Sequence, residues 1–347
     1  MDVVDHPLLT VAIPTWNRGD YLEQTLAQLA REARTIDHEL LEVIVSDNAS
    51  GDRTPTVVAE AQAVLEIRSV RNSENIGSDA NIAQCFNLAR GDYVLILGDD
   101  DLLIDGCLAW LLDVLARRTF GVICLRAYGF DGDFRREYPG DGGGAIEFKS
   151  PSDFFVAVNS RITLISSNVL QKALIPEIDA RSFCGGNLVQ VHLALEIGLK
   201  APANLYVESY KIACKRNNSG GYDFTRVFVS EFGRILDQYR AKGLSESAVR
   251  GIEDKMLFSY LPYYFLRQRL RSKTGERLPT DEVRARLGGR PLFWVWVYPI
   301  LALPRPLAIG WGSLVTALGR IGSGDLRRGV RFLCNRVLQG REARYPV

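Results

Sequence analysis

The feature that most constrains this chain is the alternation of two hydrophobic periods over its first 130 residues. Leu8–Ile13 is a short apolar run that stops at Pro14, and Tyr21, Leu22, Leu26 and Leu29 then recur at helical spacing. The cycle repeats. Leu40–Val45, Leu65–Val70, Tyr93–Leu97 and Val122–Leu125 read as strands, and Pro55–Val64, Ile76–Ala89 and Leu108–Leu115 as helices. Strands alternating with helices require crossover units and predict an α/β fold with a mostly parallel sheet flanked by helices. In such sheets ligands bind at the carboxyl ends of the strands. The polar clusters of this sequence follow strands one, two and four.

Residues 128–149, rich in Gly, Asp and Tyr, predict a surface hairpin or loop. The polar stretch Lys215–Asp223 reads as a boundary, with helices over Val227–Tyr239 and Ile252–Leu270 beyond it. The expected organisation is a domain over 1–215, split into a ligand-binding half (1–126) and an acceptor half (127–215), and a mainly helical region over 216–347.

Charge divides the chain in the same sense. The formal net charge of +1 gives no overall attraction to nucleic acid. From Leu266 onward there are 16 Arg or Lys and 5 Asp or Glu; the first 265 residues hold 26 basic and 36 acidic residues. An acidic head and an arginine-rich tail imply two jobs. The stretch 291–319 is very apolar but is broken by Pro299, Pro304, Arg305 and Pro306. Each uncharged part falls short of the roughly 20 residues that spanning requires. Two segments lying in the bilayer surface are expected, with Trp294, Trp296, Tyr298 and Trp311 at the interface and Arg290, Arg305, Arg320, Arg327, Arg328 and Arg331 on anionic headgroups. The competing reading is a packed C-terminal bundle.

The six cysteines show no C-x-x-C spacing and read as buried thiols of a reducing compartment. MDVVDHPLLT has neither a basic stretch nor a long apolar core, so no signal peptide is expected. The expected location is cytoplasmic, at the inner face of the membrane. Nothing in the sequence speaks to an oligomeric state.

The sharpest chemical signal is Gly98-Asp99-Asp100-Asp101, directly after the strand YVLIL. Adjacent carboxylates repel, and gathered at a strand end they call for a cation. A hard divalent ion such as Mn²⁺ or Mg²⁺ prefers oxygen ligands and binds through one or two carboxylates plus phosphates. Three further clusters accompany it. Pro14-Thr15-Trp16-Asn17 turns sharply after strand one and exposes an aromatic face. Asp47-Asn48 follows strand two, where a carboxylate can accept a hydrogen bond from a base N–H. Asn75-Ile76-Gly77, with Asn81 one turn later, opens the third helix. Each alone is a plain turn or a helix cap.

Together, VAIPTWNRGDYLEQTLAQL, LEVIVSDNASGDRT and SENIGSDANIAQCFNLARGDYVLILGDDD resemble the family 2 glycosyltransferases of GT-A fold, over about residues 8–125. The resemblance implies an inverting enzyme that takes a UDP- or dTDP-linked sugar with a divalent metal. Thr15, Trp16 and Asn17 would line the nucleoside pocket, with Pro14 forming the turn. Asp47 would contact the base and Asn81 would lie near the ribose or phosphates, with Asn48, Asn75 and Gly77 also among the donor-binding residues. Asp99, Asp100 and Asp101 would supply the metal and diphosphate contacts, Asp99 and Asp101 foremost. Gly98 stands where relatives often carry another Asp.

The family's general base, usually a Glu-Asp pair at a helix start, has no acid at its corresponding stretch, Phe183–Asn187. Asp179 is the first substitute, His192 the second, and Asp131 or Asp133 the third. The expected acceptor is a lipid-linked or cell-surface glycan. A nucleotidyltransferase and an inactive nucleotide-sugar-binding relative are the alternatives.

Overall fold

The structure, a computed structural model of the chain, describes residues 6–140, 142–216, 221, 223–271, 278 and 280–322. The chain forms two compact units, Met1–Gly221 and Tyr222–Val347, divided within the polar stretch Lys215–Asp223.

The first unit is built on a nine-stranded sheet. In chain order its elements are β1 (Leu9–Thr15), α1 (Gly19–Ala33), β2 (Leu41–Asp47), α2 (Thr54–Ala61), β3 (Arg68–Arg71), α3 (Ser78–Leu88), β4 (Tyr93–Ile96) and β5 (Asp101–Leu103). Then come α4 (Cys107–Arg117), β6 (Val122–Phe130), β7 (Ala145–Phe148), α5 (Pro151–Val158), β8 (Asn168–Gln171), α6 (Val189–Lys200) and β9 (Asn204–Lys215). The strand order is β3-β2-β1-β4-β8-β6-β9-β5, with β7 also paired to β9.

The half formed by β3, β2, β1 and β4 is parallel throughout. β1, β4 and the centre of β2 are continuous apolar runs because helices cover both faces, the pattern of buried parallel sheets, whereas the edge strand β3 is not. Leu9, Val11, Ala12 and Ile13 of β1 are all fully buried. Leu22, Leu26 and Leu29 bring one face of α1 into the same core, which follows from their i, i+4, i+7 spacing. Register sets the site: Thr15 at the end of β1 lies opposite Asp47 at the end of β2.

Beyond β4 the sheet is mixed. β8 runs antiparallel to β4 and β6, and β9 is parallel to β6 but antiparallel to β5 and β7. The segment between β6 and β7 contains no long element, as its composition implies.

The second unit is helical. A π-helical turn (Arg226–Glu231) leads into α7 (Phe232–Arg240), and α8 (Glu246–Lys255) passes through another (Met256–Tyr260) into α9 (Leu261–Arg271). Then follow α10 (Thr280–Leu287), a third π turn (Phe293–Val297), α11 (Tyr298–Ala302) and α12 (Arg305–Gly322). Ser245 caps α8 by accepting from the Ala248 N–H at 3.1 Å. Ile235, Leu236, Ile252, Leu257, Phe265, Phe293, Val297 and Val315 are buried. Gly312 and Gly319 let α12 lie close to its neighbours: a Cβ at Gly312 would be 3.1 Å from Leu266 Cδ1, and one at Gly319 2.6 Å from the Phe258 carbonyl.

The apolar stretch 291–319 is thus folded into this bundle, and no described helix is long and apolar enough to cross a membrane. The aromatic cluster differs from its expected interfacial role. Trp296 stacks on Phe258 and donates to its carbonyl, Trp311 donates to the Trp296 carbonyl and Trp294 to that of Gly288. Their indole N–H groups are satisfied within the protein. Arg290 is paired with Asp254 and Arg305 donates to the Arg269 carbonyl, so neither is held out for headgroups. Arg327, Arg328 and Arg331 lie outside the described residues. Of the cysteines, Cys85, Cys107 and Cys124 are buried, whereas Cys184 is exposed.

Candidate active site

Four loops meet at the carboxyl ends of β1, β2 and β4. The first turn is held by Asn17, which adopts a positive φ of 53°, a conformation asparagine tolerates better than most residues. Its side-chain oxygen accepts from the Gly51 N–H at 2.7 Å, and its own N–H donates to Ser50 Oγ at 2.8 Å. Asp52 ties the same loops together, accepting from the N–H groups of Gly19 and Thr54. Trp16, between these anchors, is 49% exposed. The loop after β1 therefore presents an indole face to solvent from a braced turn, whereas Asn17 spends its side chain on the brace.

Asp47 is buried; its carboxylate accepts from the Ser50 N–H at 2.9 Å and pairs with Arg71 of β3 at 3.0 Å. Asn48 is a hub. It donates to Asn75 Oδ1 at 2.8 Å and to the Gly77 carbonyl at 3.3 Å, and accepts from the Ile76 N–H and from Asn72, each at 3.0 Å. Gly77 enters α3 with φ 87°, where any other residue would be strained. Asn81 faces the sheet, accepting from Ser46 Oγ at 2.6 Å and donating to the Ser46 carbonyl at 3.0 Å. Asn48 and Asn81 thus build the floor and wall of the site. Both ends of the Asn81 side-chain amide are engaged by Ser46 of β2.

The acidic triplet divides. Asp99 Oδ2 accepts from Thr15 Oγ1 at 2.8 Å, and its Oδ1 lies 3.0 Å from Arg18 Nε. Asp100 Oδ2 lies 2.7 Å from Arg18 Nη2. Thr25 of α1 clamps the turn from below, donating to the Asp99 carbonyl at 2.8 Å. Asp101 goes elsewhere. It opens β5 opposite Cys214, and its carboxylate accepts from Ser166 Oγ inside the fold. Gly98 accommodates this inward turn, since a Cβ there would sit 3.0 Å from Asp101 Oδ2. Asp101 is thus turned inward, away from Asp99 and Asp100, by the β5 pairing.

Burial pushes Asp99 up to about 7 against the pull of Arg18 and Thr15. Burial and the neighbouring Asp100 push Asp101 up to about 7, against the Ser166 hydrogen bond. No group of three or more His, Cys, Asp or Glu side chains converges as a metal cage among the described residues. Two carboxylate oxygens, one each from Asp99 and Asp100, do converge on one cation, the Arg18 guanidinium. That donor set fits a hard divalent ion completed by phosphate oxygens.

The candidate bases are separated by the course of residues 179–192 along α3. Asp179 is held by Asn87, near the end of α3, at 2.6 Å and accepts from the Arg181 N–H at 2.9 Å. Gly185 and Asn187 donate to Asp79, in the first turn of α3, at 2.7 and 2.9 Å. The segment thus runs back along the helix. From Gly77 to Asn87 the helix rises about 15 Å, so Asp179 lies at the wrong end of α3 for the strand-end site. Its backbone and Asn87 hydrogen bonds also hold its pKa below the usual value, which weakens a base. Asp179 caps the turn at Ala180–Phe183, away from the strand-end site.

His192 is in the first turn of α6, buried and stacked on Phe183 with ring centroids 4.7 Å apart. Asp131 is paired with Arg216, and Asp133 accepts from the Arg135 N–H. Sequence reasoning missed Arg18, Arg71, Asp79 and Ser166. Arg18 carried a signal, a cation at the end of the strand-one motif. The other three act through long-range pairing.

This geometry defines an α/β fold with an acidic pair at a strand end. Its overall fold is shared by S. aureus TarS residues 1–349, solved in complex with UDP-GlcNAc, at a TM-score of 0.59 and 17% identity over 90% of this chain and 92% of that one. Residues 10–169 match Glycosyl transferase family 2. Over shorter stretches the chain is 34% identical to the abequosyltransferase RfbV of Salmonella typhimurium (122 residues, 34% of this chain and 36% of that protein). It is 30% identical to the GalNAc(5)-diNAcBac-PP-undecaprenol beta-1,3-glucosyltransferase of Campylobacter jejuni (156 residues, 44% and 48%). The matches thus span less than half the length of those relatives.

Proposed function

We propose that the first unit transfers a sugar, with inversion, from a UDP- or dTDP-linked donor to a lipid-linked or cell-surface glycan. The observation that carries this reading is the convergence of Thr15, Arg18, Asp99 and Asp100 at the end of β4, beside the braced Trp16 loop and the Asn48–Asn75–Gly77 wall. Asp99 and Asp100 would hold Mn²⁺ or Mg²⁺, which when bound neutralises charge on the departing diphosphate. Trp16 would offer a stacking face to the base, and Asp47, braced by Arg71, would contact the base edge.

In the reaction an acceptor hydroxyl oxygen bonds to the anomeric carbon, the bond to the diphosphate oxygen breaks, and the hydroxyl proton passes to a protein base. With Asp179 at the far end of α3, the groups on the correct side are Asp79 and His192. Asp79 Oδ1 is buried and no hydrogen-bond donor meets it, which leaves that oxygen with acceptor capacity beside the 183–187 loop.

The relatives' names support the acceptor class, since one acts on a PP-undecaprenol-linked glycan. The second unit supports a membrane-surface location. Leu307, Leu314, Leu318 and Ile321 are exposed along one face of α12, with Tyr263 and Leu270 exposed on α9, which packs against α12.

The test is to incubate the full chain with nucleotide sugars, Mn²⁺ and a lipid-linked glycan. Nucleoside diphosphate and an extended glycan of inverted anomeric configuration are expected. Pyrophosphate as product would establish a nucleotidyltransferase, and donor binding without turnover would establish an inactive relative.

A further inference from the structure

The two carboxylate oxygens best placed for an ion are the two that Arg18 holds. Its guanidinium reaches across, with Nε on Asp99 Oδ1 at 3.0 Å and Nη2 on Asp100 Oδ2 at 2.7 Å. The pairing is largely withdrawn from water, the Asp99 side chain being 8% exposed and that of Asp100 17%. The other oxygen of Asp99 is held by Thr15. A divalent ion cannot take these oxygens while a guanidinium spans them, because the cations would share ligands and repel.

We propose that Arg18 is a built-in counter-cation that competes with the divalent ion for Asp99 and Asp100, so that the site takes up its ion together with the donor diphosphate rather than before it. This rests on the nucleotide-sugar reading above. The backbone of Arg18 is fixed, since its carbonyl accepts from the N–H groups of Tyr21 and Leu22 at 3.0 Å and starts α1. The side chain beyond it is long and turns through several bonds, with its guanidinium 5.0 Å from the Tyr21 ring centroid. A guanidinium binds phosphate through the same fork it uses for carboxylate. An incoming diphosphate therefore offers Arg18 an equivalent partner and frees Asp99 and Asp100 at the moment a second anion arrives to complete an ion's shell.

Population arithmetic sets the size of the effect. If the arm is engaged about 99% of the time, an ion that binds only when it is away binds roughly 100-fold more weakly. The coupling is reciprocal, so the ion strengthens nucleotide binding by the factor that nucleotide strengthens ion binding.

The experiment measures Mn²⁺ binding to the full chain by the electron paramagnetic resonance signal of free Mn²⁺, with and without UDP or dTDP. Without nucleotide, Arg18→Gln is expected to bind Mn²⁺ at least tenfold more tightly than wild type. Arg18→Lys, which keeps the charge, should stay close to wild type. In wild type the nucleotide should tighten Mn²⁺ tenfold or more, and in Arg18→Gln much less. Should Arg18→Gln fail to fold, Arg18→Met is the second neutral variant, and the same nucleotide-free tightening is expected of it.

Equal nucleotide-free affinities in wild type and folded Arg18→Gln would overturn the proposal. So would an equal nucleotide effect in both, or wild-type Mn²⁺ affinity indifferent to a nucleotide that demonstrably binds. Failure of both nucleotides to bind would instead count against the nucleotide-sugar reading. The nucleotide-free comparison of the two proteins would then still decide the role of Arg18.

Discussion

The two units handle polar and apolar groups in opposite ways. The first buries Thr15, Ser46, Asp47, Asn48, Asn81, Asp99 and Asp101 near the strand ends. Among its described residues only three large hydrophobic side chains are exposed: Trp16, Val64 and Ile146. The second unit is smaller, yet nine are exposed among its described residues, four of them on α12. Burying polar groups costs stability unless each finds a partner, and the first unit meets that cost with a network centred on a few asparagines and aspartates. Leaving a row of leucines in water forgoes burial that a folded bundle could have used. One unit gives up stability to assemble a site, the other to keep a surface available.

The contrast yields ordered expectations. The largest effect should follow Asp99→Ala combined with Asp100→Ala, with transfer falling by about 10³-fold or more while the melting temperature changes little. Removing a buried carboxyl whose pKa is raised relieves a desolvation penalty, so a collapse of the fold would show that the pair is structural. Next, Asp79→Asn or His192→Gln should lower kcat by roughly 10²–10⁴-fold with donor affinity kept, the range of a general base. Asp179→Asn should leave turnover nearly intact, and a large loss there would return the role to Asp179.

A third expectation concerns α12. Replacing Leu307, Leu314 and Leu318 together by Gln should weaken sedimentation with anionic vesicles about 100-fold, since each half-exposed leucine contributes about 1 kcal/mol on burial in lipid. Donor turnover in solution should be unchanged. Vesicle binding that survives the triple change would relocate the contact.

The smallest effect should come from Glu253, which burial holds above the usual carboxylate range despite Arg286. A raised folded-state pKa means that its contribution is complete below the unfolded value near 4.3 and is lost as pH rises through the folded value. Glu253→Gln should therefore be no less stable than wild type at pH 7 and should flatten the stability profile above pH 4. Arg286 keeps Asp237 as a partner. A variant that loses most stability at neutral pH would show that the ion pair outweighs its desolvation.

The parallel half was legible because β1, β2 and β4 are continuous apolar runs with a helical period between them. β5 was not, since Asp101–Leu103 hides in an acidic run and becomes a strand only by pairing with β9. β8 and β7, four residues each, carry too short a pattern to declare themselves. At the site the residue types were readable and their orientations were not. Asn81 turns to Ser46, and Asp101 to Ser166, through partners 35 and 65 residues away. The placement of Asp179 at the far end of α3 was not readable, because spacing along the chain does not say which end of α3 the loop meets first.

The central claim is that the ends of β1, β2 and β4 form a nucleotide-sugar site organised by Asp99 and Asp100. It is tested most directly by thermal denaturation of the full chain with UDP- and dTDP-sugars, with and without Mn²⁺. A ligand at 100 times its Kd stabilises the fold by about 2.7 kcal/mol. A clear rise in melting temperature is expected with one nucleotide sugar and Mn²⁺ together, and none when Asp99 and Asp100 are both Ala. A flat response to every nucleotide sugar, or a shift that survives that double substitution, would contradict the claim.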